Sequence, residues 1–258
     1  MLGRGLAAII LSTVVPLPGA AAEVLKPYHA VYAISLDASP AGSGIAAYEG
    51  GRDIRLTLTC DGARLDQSEW QRITAASGDV VARKTRSEVT ESADGRVVTA
   101  RTVSAPDLSG TIWIEVRFDE AGRGVVTYRK GAAADLVLPA GTLLPIALLR
   151  RGQEAMQAGE AGFSAPVYLG WESEPSSVQV VIGPWQQEPV PGSLLPGRWR
   201  DVTAEYTVST VGSGPVTVTR RGRVGESGVS DHVVSNDGTF TLTDTLQRVE
   251  WLPMPDCD

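Results

Sequence analysis

The chain has 258 residues, of which 43% are hydrophobic and 21% charged, and its mean hydropathy is −0.01. These values are typical of a globular protein and exclude collagen-like, disordered and multi-span membrane classes. The 23 basic and 30 acidic side chains give a net charge of −7, which argues against nucleic-acid binding and against a polybasic membrane anchor. Two histidines and two cysteines are too few for a Cys/His zinc cluster, so we expect no metal and no cofactor.

The first 22 residues have the three parts of a secretory signal peptide. A short basic start precedes an apolar run from Leu6 to Val15, which is about half as long as a bilayer-spanning helix. Ala20 and Ala22 then stand at positions −3 and −1 of a cleavage site before Glu23. We therefore predict export to the periplasm, a mature chain that forms a single β-rich domain over residues 23–258, and no transmembrane segment in that mature chain.

Between Tyr28 and Lys130 the sequence repeatedly alternates apolar and polar residues and is broken by glycine-containing turns, which predicts antiparallel strands. The clearest strand is Thr111 to Asp119, where one face carries Ile112, Ile114, Val116 and Phe118. Asp94-Gly95 and Ala121-Gly122 are typical hairpin turns, so neighbouring strands are expected to form a meander.

One amphipathic helix is predicted at about residues 144–158. Pro145 suits its first turn, and Gly159 provides a stop. We expect its apolar stripe to cover the sheet and to line a pocket between sheet and helix; the candidate lining residues are Leu144, Leu148 and Met156. A helix that binds a partner or a membrane surface is the alternative.

Strand patterns resume after the helix, with no alternation of strands and helices that would indicate a doubly wound sheet. Residues 184–196 are proline-rich and predict an exposed loop. Its Trp185 and the following Trp199 are expected to close one end of the core; anchoring a partner is the alternative.

The last strand, Thr239 to Trp251, changes the parity of its apolar residues, which predicts a bulge near Gln247 or Arg248. An outer-membrane barrel is disfavoured because only 6% of residues are aromatic.

The two cysteines, Cys60 and Cys257, stand 197 positions apart. Cys60 follows Leu56 and Leu58 at the same parity, so its sulfur is predicted to face the core. In an oxidising compartment we expect an intramolecular bridge that fixes the chain's end to an early strand and closes the sheet. Two separate buried thiols and an intermolecular link are the alternatives. Redox catalysis is disfavoured because no Cys-x-x-Cys motif is present.

Four segments in this order resemble the cell envelope integrity EipB family. They are the segment Leu25–Tyr32, the turn Cys60-Asp61-Gly62, the segment Leu138–Gly141 and the terminal segment Leu252–Cys257. The resemblance implies a periplasmic protein of an alphaproteobacterial kind, folded as a spiral of many β-strands with a disulfide between Cys60 and Cys257. It also implies a role in keeping the cell envelope intact, without an established enzymatic activity.

Few residues offer catalytic chemistry. His29 and His232 are the two candidate bases, but strand alternation should turn Asp231 away from His232. Glu172 and Glu174 flank Trp171 and could form a carboxylate pair of the kind used in glycoside hydrolysis, although a solvated loop is the simpler interpretation.

Three functional hypotheses follow. The leading one is a non-enzymatic, monomeric periplasmic protein that supports envelope integrity by binding proteins or envelope components. The second is a carrier or sensor of a lipid acyl chain in the pocket between sheet and helix. The third is an envelope hydrolase that uses His29 or the Glu172/Glu174 pair.

Overall fold

The structure is a computed structural model that describes residues 24–39, 44–105, 111–128, 135–170, 174–188, 190, 192–208 and 215–257. The predicted signal peptide, residues 1–22, lies outside this part of the chain. The described residues form fourteen strands and one helix. The first eight strands are β1 Tyr28–Ala38, β2 Ile45–Thr59, β3 Gly62–Ala75, β4 Val80–Ser92, β5 Val97–Ala105, β6 Ile112–Phe118, β7 Gly124–Tyr128 and β8 Leu136–Leu138. After them come α1 Pro145–Ala158, β9 Gly162–Val167, β10 Ser176–Gln186, β11 Trp199–Val208, β12 Val216–Gly225, β13 Ser230–Asn236 and β14 Thr241–Trp251.

All the strands belong to one antiparallel sheet with the order β8-β7-β6-β5-β4-β3-β2-β1-β14-β13-β12-β11-β10-β9. The sheet therefore consists of two meanders, β1–β8 and β9–β14, that join only where the first strand pairs with the last. This joint runs from the pair Tyr28 and Trp251 to the pair Ala38 and Thr241. In the described residues the edge strands β8 and β9 do not pair with each other, so the sheet is curved without closing into a barrel. The predicted mostly-β class is confirmed.

The bulge predicted in the last strand is present. On β1, Val31 pairs with Arg248 and the next residue, Tyr32, pairs with Leu246, which leaves Gln247 as the extra residue on β14. This extra residue explains why the apolar parity of β14 changes within the strand.

The helix occupies the predicted range and crosses the concave side of the sheet. Pro145 opens it, and Gly159 ends it in the left-handed conformation at φ 74°. Its first turn, with Ile146 fully buried, belongs to a core cluster under β1–β7. Its last turn, with Ala155 and Met156, belongs to a second cluster under β9–β12. The helix therefore covers the inner face of both meanders at one end of the spiral.

Two expectations were wrong in detail. The exposed loop predicted from Pro184 begins later, because β10 continues to Gln186 across a register shift that contains Gly183 and Pro184. A proline is tolerated there because the pairing with β9 has already ended, so its missing N–H breaks no ladder bond. Cys60 does not face the core: β2 ends at Thr59, and Cys60 lies exposed in the turn that follows.

Of the two tryptophans near the proline-rich segment, Trp185 packs against the core as expected, whereas Trp199 belongs to neither core cluster. Trp185 is partly buried and packs against the second core cluster, with the Arg200 guanidinium 4.3 Å from its ring centroid. Trp199 is also partly buried, and its indole nitrogen donates a hydrogen bond to the Glu188 carbonyl oxygen at 3.2 Å.

Candidate functional site

The inner face of the sheet changes character along the strands. Near the helix, one row of paired inward residues is apolar: Tyr28, Leu56, Leu65, Val89, Ala100 and Ile114. Four residues further along β1, the corresponding row is polar: Tyr32, Arg52, Glu69, Thr85 and Ser104. The row spacing is about 13 Å at the usual rise of a strand. The concave side is therefore an apolar, helix-filled end followed by a polar half.

Four charged side chains meet in this polar half, and we call them the ionic cluster: Arg52, Glu69, Asp244 and Arg220. Arg52 donates from Nη1 to Asp244 Oδ2 at 2.5 Å and from Nε to Glu69 Oε2 at 2.9 Å. Arg220 Nη2 lies 3.9 Å from the same Asp244 oxygen, and its Nε donates to Ser235 Oγ at 3.1 Å. Two arginines thus share one carboxylate that is 5% exposed.

The ionic cluster joins strands of both meanders. Arg52 on β2 and Arg220 on β12 are four strands apart in the sheet order. Asp244 on β14 lies midway between them, two strands from each. Its carboxylate therefore connects the first meander to the second across the joint.

Burial and charge oppose each other in the ionic cluster. Burial alone would lower the pKa of the Arg52 guanidinium, but Asp244 and Glu69 together raise it. Burial raises the pKa of Asp244, and the two arginines only partly offset this. Because Arg52 is bonded to two carboxylates at 2.9 Å or less, we regard the pair as ionised at neutral pH.

Arg220 has the least compensated charge of the four. Burial and the nearby Arg52 lower its pKa, and Asp244 and Glu69 do not fully offset this. Its side chain nevertheless keeps 38% of its surface accessible to water. Contact with water lowers the cost of this incomplete pairing.

Tyrosines border the ionic cluster. Tyr32 donates a hydrogen bond to the Ser230 carbonyl oxygen at 3.1 Å, and Tyr48 donates to Gln71 Oε1 at 3.4 Å. Burial raises the pKa of Tyr28, Tyr32 and Tyr206, and it raises the pKa of Tyr48 to about 12. Their hydroxyls therefore remain neutral throughout the physiological pH range.

We expect stability to fall steeply in alkali because of these tyrosines. A phenol titrates near pH 10 in the unfolded chain, so the contribution of these tyrosines to stability is constant below that pH and falls as pH rises toward the folded-state values. Tyr48, which is 5% exposed, should account for about 2 kcal/mol by pH 12. Urea unfolding at stepped pH measures this loss. Tyr48→Phe should lose less stability over the same interval, and an equal loss would contradict the assignment.

The two histidines lie away from the ionic cluster. His29 Nε2 is 2.9 Å from Asp53 Oδ2 and its Nδ1 is 4.0 Å from Glu250 Oε2, so carboxylates occupy both sides of the ring. Within the described part of the chain, no hydroxyl hydrogen-bonds to the His29 imidazole. His232 is exposed at a register shift, with φ 50°. Among the described residues, the hydrogen-bond partner of the His29 ring is a carboxylate.

Strand alternation predicted that Asp231 does not orient His232, and the structure gives Asp231 other partners. It is 3% exposed, and its carboxylate accepts hydrogen bonds from Ser193 Oγ at 2.8 Å and from the Leu246 backbone N–H at 3.2 Å. Asp231 therefore attaches the proline-rich segment to β14. Sequence reasoning missed Ser193, because nothing near it in the chain indicates a partner 38 residues away.

The remaining predicted site residues lie partly outside the described chain and partly in the core. Trp171 and Glu172 lie outside the described residues, and Glu174 is exposed, so the carboxylate pair stays a prediction. Leu144 and Met156 are 2% and 3% exposed and pack in the first and second core clusters, while Leu148 is partly buried against the second. The pocket that they were expected to line stays a prediction as well. Among the residues that the structure describes, no group of His, Cys, Asp and Glu side chains is arranged to hold a metal ion.

The two cysteines form a disulfide, with Cys60 Sγ 2.08 Å from Cys257 Sγ. It links the turn after β2 to the tail after β14, and these two strands are the two neighbours of β1. The expectation that the bridge closes the sheet was wrong, because the open edges are β8 and β9. The bridge instead reinforces the joint between the two meanders.

The fold and the site define a class: an open β-spiral with a helix across one end of its concave side, a charged half at the other and a disulfide at its central joint. The EipB-like family model matches residues 19–253, and the chain belongs to the EipB-like family. A solved structure with the same fold is the crystal structure of a beta-barrel-like protein of domain of unknown function DUF1849 from Brucella abortus. The two chains are 19% identical with a TM-score of 0.76, and the match covers 89% of this chain and 99% of that one. None of the curated proteins compared with the chain matches it.

Proposed function

We propose that this protein is a non-enzymatic, monomeric protein of the periplasm that supports the integrity of the cell envelope by binding proteins or envelope components. The observation that carries the proposal is the disulfide between Cys60 and Cys257, a bond that persists in oxidising compartments, in a chain of the EipB-like family. The helix of the described residues has 14 residues and is too short to cross a bilayer.

The absence of turnover is part of the proposal, and the arrangement of the charged groups supports it. Each arginine of the ionic cluster lies against a carboxylate, and the His29 ring lies between two carboxylates. Pairing with a carboxylate can orient an imidazole as a base, but attack also requires a nucleophile within hydrogen-bond reach, and no described hydroxyl bonds to the His29 ring.

Deleting the gene should make cells more sensitive to detergent and to antibiotics that act on the cell wall. The measurement is survival on graded concentrations, with the wild-type gene restored as the positive control. His29→Ala and Glu174→Ala should restore resistance fully, since neither is required for catalysis in this proposal. Unchanged resistance after deletion would contradict the envelope role, and failure of either alanine variant at normal protein abundance would favour the hydrolase hypothesis.

The second candidate is a carrier or sensor of an acyl chain between the sheet and the helix. The apolar row beside the helix, with Leu56, Leu65 and Ile114, has the chemistry that such a ligand needs, but Leu56 and Ile114 are each 1% exposed, so an acyl chain has to displace their packing partners to reach them. The charged polar half would restrict the chain to that end, because an ionic group buried against hydrocarbon is costly. Native mass spectrometry of protein isolated from the periplasm distinguishes the candidates: the leading proposal expects empty protein, and a bound lipid would favour the carrier.

A further inference from the structure

A second charged feature lies on the outer face of the sheet, outside the proposed site. Alternate residues of β4 point away from the core there, and the register brings Arg86 beside Val103 and Glu88 beside Arg101 on β5. Together these side chains line an open trough of about 390 Å³, which we call the basic trough: Lys84, Arg86, Glu88, Arg101 and Val103. Its size is that of a small-molecule or headgroup site.

The three cations of the basic trough are unpaired in the described part of the chain. Lys84, Arg86 and Arg101 are exposed, and no described carboxylate lies within ion-pair distance of them. Glu88, the one acidic side chain of the trough, is 3.0 Å from Arg64 Nη2, but Arg64 also pairs with Asp66, so these three side chains together keep one negative charge. The trough with these neighbours therefore carries about two net positive charges, on a protein whose net charge is −7.

Neighbouring acidic groups do not cancel this charge. Asp66 is paired with Arg64 at 2.8 Å, and Glu115 is paired with Arg117 at 2.7 Å. Like-charge repulsion among three cations on one face is unfavourable in the free protein. A local cationic site on an acidic protein is therefore a surface that gains from an anionic partner.

Two exposed tryptophans flank the basic trough and narrow the choice of partner. Trp70 on β3 pairs in register with Lys84 and is 50% exposed; Trp113 on β6 pairs with Arg101 and is 40% exposed. Indole rings partition to the level of lipid headgroups, where lysine and arginine also meet lipid phosphates. A membrane surface can contact the cations and both indole rings at once. A free anion would contact the cations alone and would leave the rings in water.

We propose that the outer face of β3–β6 binds the surface of a membrane containing anionic phospholipids, with Lys84, Arg86 and Arg101 contacting headgroup phosphates and Trp70 and Trp113 entering the interface. This membrane surface would be a partner for the proposed function. The inference rests on that function in one respect, which is that the protein meets a membrane in the cell. Binding combines electrostatic attraction by the three cations with insertion of the two indole rings at the interface.

The test is co-sedimentation of the purified protein with vesicles. Vesicles of phosphatidylcholine with about one third phosphatidylglycerol should bind the protein at low salt, and pure phosphatidylcholine vesicles should not. Each cation near an anionic surface contributes about 1 kcal/mol to the free energy of binding. The triple variant Lys84→Gln, Arg86→Gln and Arg101→Gln should therefore bind about 100-fold more weakly. Binding should also be lost in concentrated salt, because the Debye length shrinks.

A matched control removes the same charges elsewhere. Lys26→Gln, Arg221→Gln and Arg248→Gln change one lysine and two arginines that are exposed outside the trough, and they should leave vesicle binding near the wild-type value. Trp70→Ser with Trp113→Ser should weaken binding while keeping its dependence on salt. No binding to phosphatidylglycerol vesicles, or equal loss in the two triple variants, would overturn the inference.

Two further outcomes separate the alternatives. Binding of free glycerol phosphate with the same dependence on the trough, without vesicle binding, would assign the site to a soluble anion and overturn the membrane assignment. Vesicle binding without an envelope phenotype on deletion would leave this inference standing while the proposed function fails, so the two failures are distinguishable.

Discussion

Cys60→Ser should lower the free energy of unfolding by about 5 kcal/mol and the melting temperature by about 10 to 20 °C, because the disulfide closes a loop of 197 residues. The reason lies in the topology. In the described part of the chain the two meanders pair strand to strand only through β1 and β14, and forming that joint requires bringing together residues more than 200 positions apart, such as Tyr28 and Trp251. The bridge removes this closure entropy from the unfolded chain.

Thermal unfolding with and without reductant measures the effect. Met254→Ser, which changes an exposed residue on the same terminal tail, is the matched control and should leave the melting temperature unchanged. Reduced wild-type protein should resemble Cys60→Ser. If oxidised and reduced protein melt together, the bridge does not stabilise the joint and the topological argument fails.

Asp244→Asn should be the second most damaging change, with a loss of about 3 to 5 kcal/mol, because it leaves Arg52 and Arg220 with less compensated charge in a buried position. The matched control is Asp119→Asn, which removes a carboxylate from an exposed ion pair with Arg123 and should leave the melting temperature unchanged. Chemical denaturation of both variants gives the comparison.

A double-mutant cycle tests whether the loss arises from the pair itself. Arg52→Met combined with Asp244→Asn should cost at least about 1 kcal/mol less than the sum of the two single losses, since the double variant no longer buries an unmatched cation at that position. Additive losses would mean that Asp244 stabilises the fold without coupling to Arg52, and the ion pair would not account for the effect of Asp244→Asn.

Local sequence predicted the individual elements well because their signals lie within a few residues. Alternation over Ile112 to Phe118 gave β6, and Pro145 with Gly159 marked the two ends of α1. The parity change in the last strand revealed the bulge at Gln247. The beginning of the proline-rich loop was misplaced because proline propensity does not show that the pairing of β10 with β9 ends at Val181.

By itself, the sequence determined the class of fold, the helix, and the presence of two cysteines that could pair, since alternation, capping and residue identity are local properties. Only the tertiary structure decided that Arg52, Asp244 and Arg220 meet inside, and that Lys84, Arg86 and Arg101 gather outside. It also decided that the disulfide reinforces the β1–β14 joint rather than the sheet's edges. The physical reason is that strand order, register and curvature bring together side chains distant in the chain, and local composition does not encode which strands become neighbours.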